Sequence, residues 1–250
     1  MAEPLFDNRL KKLRHARAQR QGERLFLAER AVEDVAERLQ FVNRRFRRGL
    51  VIGCPEELQE KLAGAADDVI FAPELPQICE VEPESVELLL VFGQFDTENE
   101  LAATAHVLRS RMAADGLFAG VFPGNDSLPK LRAAMLAADQ AAGAGFTPRV
   151  HPRIEAAAFT HLLAEAGFVE PIVDIDRVRL RYRRLDDLVA DLRGMGATNV
   201  LAARSRRPLS RTALAAAREA FAAEGDESGT VETVELIHFA AWTRPENIRP

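Results

Sequence analysis

The chain is poor in the residues that announce a simple function. Only two of its 250 residues are cysteine, Cys54 and Cys79, and no CxxC pair exists. No histidine stands near either, so the spacing predicts no metal site and fits a reducing, cytoplasmic setting. Tryptophan and tyrosine occur once each. With so few aromatics and no recognisable RNA- or DNA-binding module, no nucleic-acid partner is expected. No apolar run reaches the roughly eighteen residues of a membrane span, so no transmembrane segment is expected. The N-terminus lacks an apolar h-region, which argues against a secretory signal. Patterns for a P-loop, an HExxH helix and a GxSxG elbow are missing.

What is present is ordinary in amount and uneven in placement. Apolar residues make up 47% and charged residues 28%, enough for a full core in a soluble α/β domain. The net charge of −5 hides a gradient. Residues 1–50 carry 13 Lys and Arg against 7 Asp and Glu, whereas residues 51–100 carry Lys61 against 13 acids. Such a field can steer a charged partner, although a solvated basic helix and a solvated acidic face also account for it.

The centre of the chain is the piece from Glu84 to Asp126. Val86–Phe92 is a short β-branched apolar run that predicts a buried strand. Residues 98–114 follow with Leu101, Ala105, Leu108 and Met112 at helical spacing, Asp115-Gly116 breaks that helix, and Leu117–Phe122 predicts a second strand. Strand, helix and strand over this length make one βαβ unit of a parallel sheet.

Around this unit, residues 8–21 predict a basic helix with a thin apolar stripe, and residues 23–46 a second, better patterned one. Strands are expected at Gly49–Gly53 and Asp68–Phe71, with a further short piece near Ile78–Val81 and a helix at residues 56–63. Later helices are predicted at 127–142, 155–166, 185–193 and 210–223. Strands are predicted at 168–174, 177–182 and 230–243.

Several stretches resemble one family. Residues 115–119 enter a strand as class I methyltransferases enter their fifth. The run Phe122–Arg132, the loop Phe146–Val150, the piece Leu162–Phe168 and the turn Asp191–Asn199 resemble the respiratory complex I assembly-factor methyltransferases. These are similar in turn to the malonyl-carrier-protein methyltransferases of biotin synthesis. Phe6–Leu10 and Phe26–Arg30 carry the same resemblance, which places residue 1 near the domain start and makes a cleaved transit peptide unexpected. The resemblance implies an α/β Rossmann-like class I methyltransferase fold, a mostly parallel seven-stranded sheet with helices on both faces. Residues 1–48 would be N-terminal cover helices, and 49–250 a methyltransferase-like domain with a helical insert near 183–229.

The implied cofactor is S-adenosylmethionine, and the residues at its expected place are unusual. The turn after the first strand keeps Gly53 and Cys54, but Pro55 and Glu56 stand where relatives have glycine. Proline removes an N–H, and Glu56 and Glu57 would meet the cofactor's carboxylate unfavourably. The second strand ends at Ala72-Pro73 with no acid for the ribose. The expected cofactor-binding set is therefore Gly53, Cys54, Glu82, Gln94 and Phe95, with Glu82 or Glu84 facing the adenine amine and Phe95 what is left of an aromatic floor. The expected substrate side is Asp96, Arg149, Arg193 and Asn199. Arg149 could hold a carboxylate or brace its loop, and Arg193 and Asn199 could serve substrate or cap a turn. His151 and His161 have no partners at ligand spacing, so surface or capping roles are expected. No general base stands out.

Three functions are compatible with these residues. One is a S-adenosylmethionine-dependent methyltransferase acting in assembly or maturation of a respiratory NADH dehydrogenase. Another is a non-catalytic, protein-binding assembly factor with a degenerate methyltransferase fold. The last is an O-methyltransferase for a carrier-bound acid. The resemblance also implies arginine hydroxylation in some relatives. A protein substrate or assembly partner is expected, met by the basic helix at residues 9–24 or the acidic segment 51–100. Whether the chain is an enzyme, and its oligomeric state, stay open at this level.

Overall fold

The computed structural model describes residues 3–143, 145 and 147–245. Phe146, the first residue of one motif, lies outside them. The elements in chain order are α1 (Asn8–Arg20), α2 (Phe26–Gln40), β1 (Arg48–Ile52), β2 (Asp68–Ala72), β3 (Val86–Phe92), α3 (Leu101–Arg111) and β4 (Met112–Pro123). They continue with α4 (Pro129–Ala141), α5 (Ala156–Glu165), β5 (Val169–Tyr182), α6 (Leu185–Gly194), α7 (Arg211–Ala223) and β6 (Thr230–Trp242). No helix among the described residues is long and apolar enough to cross a membrane.

The strands form a six-stranded sheet in the order β2-β1-β3-β4-β6-β5. β1 pairs in parallel with β2 and β3, and β3 with β4, while β4 and β6 are antiparallel. Among the described residues the mostly parallel sheet expected from the sequence is present with six strands rather than seven. The piece near Ile78–Val81 is not a strand. Residues Leu75–Glu80 form a 3-10 helix with proline in its first turn, and Pro73, Pro76 and Pro83 remove the N–H groups a strand there would need. β2 is therefore an edge strand.

The connection from β1 to β2 also departs from expectation. Glu56–Leu62 is a 3-10 helix rather than an α-helix, packed through Leu58 and Leu62. Two further differences concern strands. Residues 168–174 and 177–182 are not separate but parts of one strand, β5, which continues through Asp174–Arg177 although its alternating burial slips there, Asp174 and Ile175 both being exposed. Asp115-Gly116 does not end a helix, because α3 stops at Arg111 and β4 has already begun; Asp115 sits there with φ 57°.

The described chain divides into two compact units. One comprises residues 25–124, 154–176 and 236–250. Its core is β3, buried at all seven positions, with Phe95, Phe118, Phe122, Phe159, Phe168 and Phe239 on one face of the sheet. The rings meet at 4.7–6.1 Å, mostly edge-to-face, an arrangement worth about 0.5–1.5 kcal/mol per pair beyond simple burial. Gly120 makes that packing possible, since a Cβ there would come within 2.1 Å of the Val91 carbonyl and 2.9 Å of the Phe239 ring. α2 buries Ala31, Val32 and Val35.

The second unit comprises residues 1–24, 125–153 and 177–235. Here α1 is capped by Asp7, whose carboxylate accepts from the Leu10 N–H at 2.9 Å. Phe6 joins Val200 and Leu201 in a small apolar cluster with Leu10 against it. α4 begins after Leu128, held at φ 61°. That residue brings no cap, and the first turn is instead served by Glu232, which accepts from Leu131 N at 2.7 Å and Lys130 N at 3.3 Å. Burial raises the Glu232 pKa against the pull of those N–H groups.

Candidate functional site

Open α/β sheets hold ligands beyond the carboxyl ends of their parallel strands. At that edge the structure brings together Gly53, Cys54 and Gln94. Gly53 has φ 77°, and its N–H donates to the Ala72 carbonyl at 2.9 Å. A Cβ on Gly53 would meet the Phe92 carbonyl at 2.4 Å and the Gln94 Nε2 at 2.7 Å. The space beside the glycine is thus already filled by this protein's own side chain. Cys54 is buried, its thiol pushed up to about 11 by that burial, so it is protonated and unreactive at neutral pH.

Phe95 lies on the same loop but points into the core, 4% exposed, with its ring 5.8 Å from Phe122 and 5.5 Å from Phe159. Asp96 follows it, half-buried in a one-turn 3-10 helix. Glu82 is not brought to this edge. It is exposed and precedes β3, at the strand's amino end, roughly 20 Å along a seven-residue strand from the Gly93–Asp96 loop.

These residues do not fit S-adenosylmethionine in the manner of the fold. Pro55 begins a 3-10 helix whose first residues are the exposed Glu56 and Glu57, so no α-helix N-terminus is offered to a carboxylate. β2 ends in buried Ala72 and exposed Pro73. Glu74, the nearest acid, is engaged in a capping box with Gln77.

Of the residues expected on the substrate side, Asp96 belongs to this same unit, whereas Arg149, Arg193 and Asn199 lie in the other unit, where two of them brace loops. Arg149 clasps the buried Asp139 through Nε at 2.9 Å and Nη2 at 2.7 Å, and Thr147 N donates to the same carboxylate at 3.1 Å. Asn199 donates to the Pro148 carbonyl at 2.9 Å and accepts from Leu201 N at 2.9 Å. Arg193 is exposed in the last turn of α6. His151 is not on the surface. It is 5% exposed, accepts the Val200 N–H on Nε2 at 2.8 Å and stands edge-on to Phe6. Burial first, then the nearby Arg153, Arg14 and Lys11, push its pKa down to about 3. His161 is exposed beside Glu165, one helical turn on.

One constellation escaped the sequence pattern. Asp34 of α2, Asp176 of β5 and His238 of β6 place ligand-type atoms within 4.8 Å of one another. They are 142 and 62 residues apart, so no local spacing could reveal them; the one available signal was a histidine inside a hydrophobic strand.

No protein-family model matches the chain. Among curated proteins it is similar to the mitochondrial arginine-hydroxylase NDUFAF5 of Rattus norvegicus, 27% identical over 95% of this chain and 77% of that protein. It matches the human protein of the same name at 26%, over 97% of this chain and 78% of that protein. It is also 26% identical to the malonyl-[acyl-carrier protein] O-methyltransferase of Laribacter hongkongensis, over 80% of this chain and 59% of that one. The mitochondrial naming of the first two does not match the cytoplasmic setting expected from cysteine usage. Among solved structures, the YcgJ protein of Bacillus subtilis aligns at a TM-score of 0.54 and 10% identity, over 85% of this chain and 98% of that one. A Bacillus halodurans protein assigned as a methyltransferase aligns at 0.52 and 11% identity, over 84% and 98%. The chain is thus a methyltransferase-like protein with the Rossmann-like class I methyltransferase fold, a relative of the NDUFAF5 arginine-hydroxylases and the malonyl-carrier-protein O-methyltransferases.

Proposed function

We propose that the chain serves in assembly or maturation of a respiratory NADH dehydrogenase, recognising a protein subunit rather than passing it a methyl group. The observation that carries this is the similarity to the NDUFAF5 arginine-hydroxylases along 95% of the chain, combined with a donor edge that Gln94, Pro55, Glu56 and Glu57 make unsuited to S-adenosylmethionine. The basic face of α1 is the partner surface we favour. Arg9, Arg17 and Arg20 are exposed there, whereas Arg14 is half-buried and donates to Thr198 Oγ1.

The test is co-purification of NADH dehydrogenase subunits with the tagged chain. Recovery that falls when Arg17 and Arg20 are reversed to glutamate supports the reading. Absence of any subunit, with the parent protein folded, sinks it.

A second reading is S-adenosylmethionine-dependent methyl transfer, to a protein or to a carrier-bound acid. The similarity to the Laribacter O-methyltransferase favours it. Calorimetric titration of S-adenosylmethionine decides between the two, since micromolar binding would require the Gly53–Leu58 turn to open and admit the donor.

A further inference from the structure

We propose that Asp34, Asp176 and His238 form a binding site for a divalent first-row transition ion of the Mn2+ or Fe2+ kind. The triad lies in one compact unit and uses three separate elements, α2, β5 and β6. Its centre is His238, only 2% exposed, with neither Nδ1 nor Nε2 hydrogen-bonded to any group among the described residues. The Asp34 Oδ2 lies 3.7 Å from Nε2, close enough to face it and too far to accept a hydrogen bond. A buried imidazole with both nitrogens unsatisfied is rare, and a bound ion is one of the few partners that would satisfy it.

The geometry suits a metal. Donors around such an ion at about 2.1 Å stand about 3–4 Å apart. The 4.8 Å limit within which all three ligand atoms already fall closes to that with modest carboxylate rotations. Both aspartates retain 31% side-chain exposure, so they can rotate while the buried imidazole stays fixed. One imidazole nitrogen and two carboxylates, with no thiolate, select Mn2+, Fe2+ or Zn2+ over Cu(I), and three protein donors leave positions open.

At present the negative charge is held by Arg30. Its Nε and Nη2 reach the Asp176 Oδ2 at 3.0 and 2.8 Å, and Nε lies 3.8 Å from the Asp34 Oδ2. Arg30 is half-exposed, so it can swing away; it is a competitor for the site and not a part of it. Arg38 pairs with Asp174 at 2.7 Å and stands outside the triad.

The register gives the site a position relative to the rest of its unit. Phe92 of β3 pairs with Val121 of β4, and Val121 with His238. His238 therefore sits level with the end of β3, two strand spacings or about 10 Å from it, toward the edge where Gly53 and Gln94 meet.

The test is titration of Mn2+ into the full chain after chelator treatment, read by loss of the free-ion electron paramagnetic resonance signal. The parent should bind one equivalent. Asp34→Asn and Asp176→Asn should each weaken binding by about tenfold or more. Arg30→Gln should tighten it. No binding by the parent up to about 1 mM, the weak end of useful protein affinities for divalent ions, overturns the proposal; so does unchanged binding in both triad variants. The two aspartates are partly exposed, so their variants keep the fold. Because the readout involves neither a protein partner nor a methyl donor, its failure leaves the proposed function standing.

Discussion

The chain buries two histidines in opposite ways. His151 is 5% exposed and satisfied: it accepts the Val200 N–H, touches Phe6, and stands beside a loop that Arg149, Asp139 and Asn199 tie down. His238 is 2% exposed and unsatisfied, with two carboxylates facing it. Burial depresses both pKa values. What separates them is the account of their nitrogens. A partnered buried histidine is part of a scaffold, whereas an unpartnered one facing acids costs stability until something arrives.

The largest effect should come from the scaffold around His151. Arg149→Leu leaves the Asp139 carboxylate, 3% exposed, with the Thr147 N–H alone, and should cost about 3–5 kcal/mol by urea unfolding. A loss below about 1 kcal/mol, as for a surface pair, would show that the loop is not braced there. His151→Leu should follow at about 1–3 kcal/mol, since the Val200 N–H then has no acceptor.

The pH dependence gives a third handle on the same residue. The folded pKa, about 3, lies below the ordinary 6.5, so below about pH 6.5 the unfolded chain takes up a proton that the folded chain refuses. Stability contributed by neutral His151 is complete above that pH and is lost as pH falls toward 3. Between pH 6.5 and about 5 the loss should be about 2 kcal/mol. A parent whose stability fell no faster than that of His151→Leu over this window would break the assignment.

The smallest effect sharpens the contrast most. His238→Leu, measured in chelator, should stay within about 1 kcal/mol of the parent, because it exchanges an unsatisfied polar ring for an apolar side chain. A loss as large as that of His151→Leu would mean that His238 is already partnered, and the two residues would no longer differ in kind.

The central βαβ unit was legible because Val86–Phe92, apolar except for Glu87, and Leu117–Phe122 are runs buried on both faces, and such runs announce themselves without tertiary context. The helices were legible from their periodicity to within a few residues, apart from Glu56–Leu62 and from α2, which stops at Gln40 rather than reaching Phe46. Glu56–Leu62 and Leu75–Glu80 misled because apolar spacing does not distinguish a 3-10 turn from a helix or a short strand, and flanking prolines settled the matter. β5 was divided too early, since Asp174, Asp176 and Arg177 look like a turn; in the structure they find arginine and acid partners across the surface and the strand continues.

Residues of the candidate sites were less legible. The altered turn at Gly53–Glu57 could be read directly, because a missing glycine is a local fact. Arg149 admitted two roles in the sequence, and only the placement of Asp139 shows what it holds. The triad of Asp34, Asp176 and His238 depends on three elements meeting, and nothing in the neighbourhood of any one of them hints at the other two.

Among the described residues no strand lies beyond β2, which bears on how the protein behaves in concentrated solution. A sheet that stops one strand short exposes a row of backbone groups able to recruit a neighbouring molecule. Here that row is only five residues long, begins at Asp68 next to Asp67, and stops against Pro73. Paired negative charges at one end and a residue without an N–H at the other discourage a second chain from zipping on. The shortened sheet thus carries its own guard against self-association along that border.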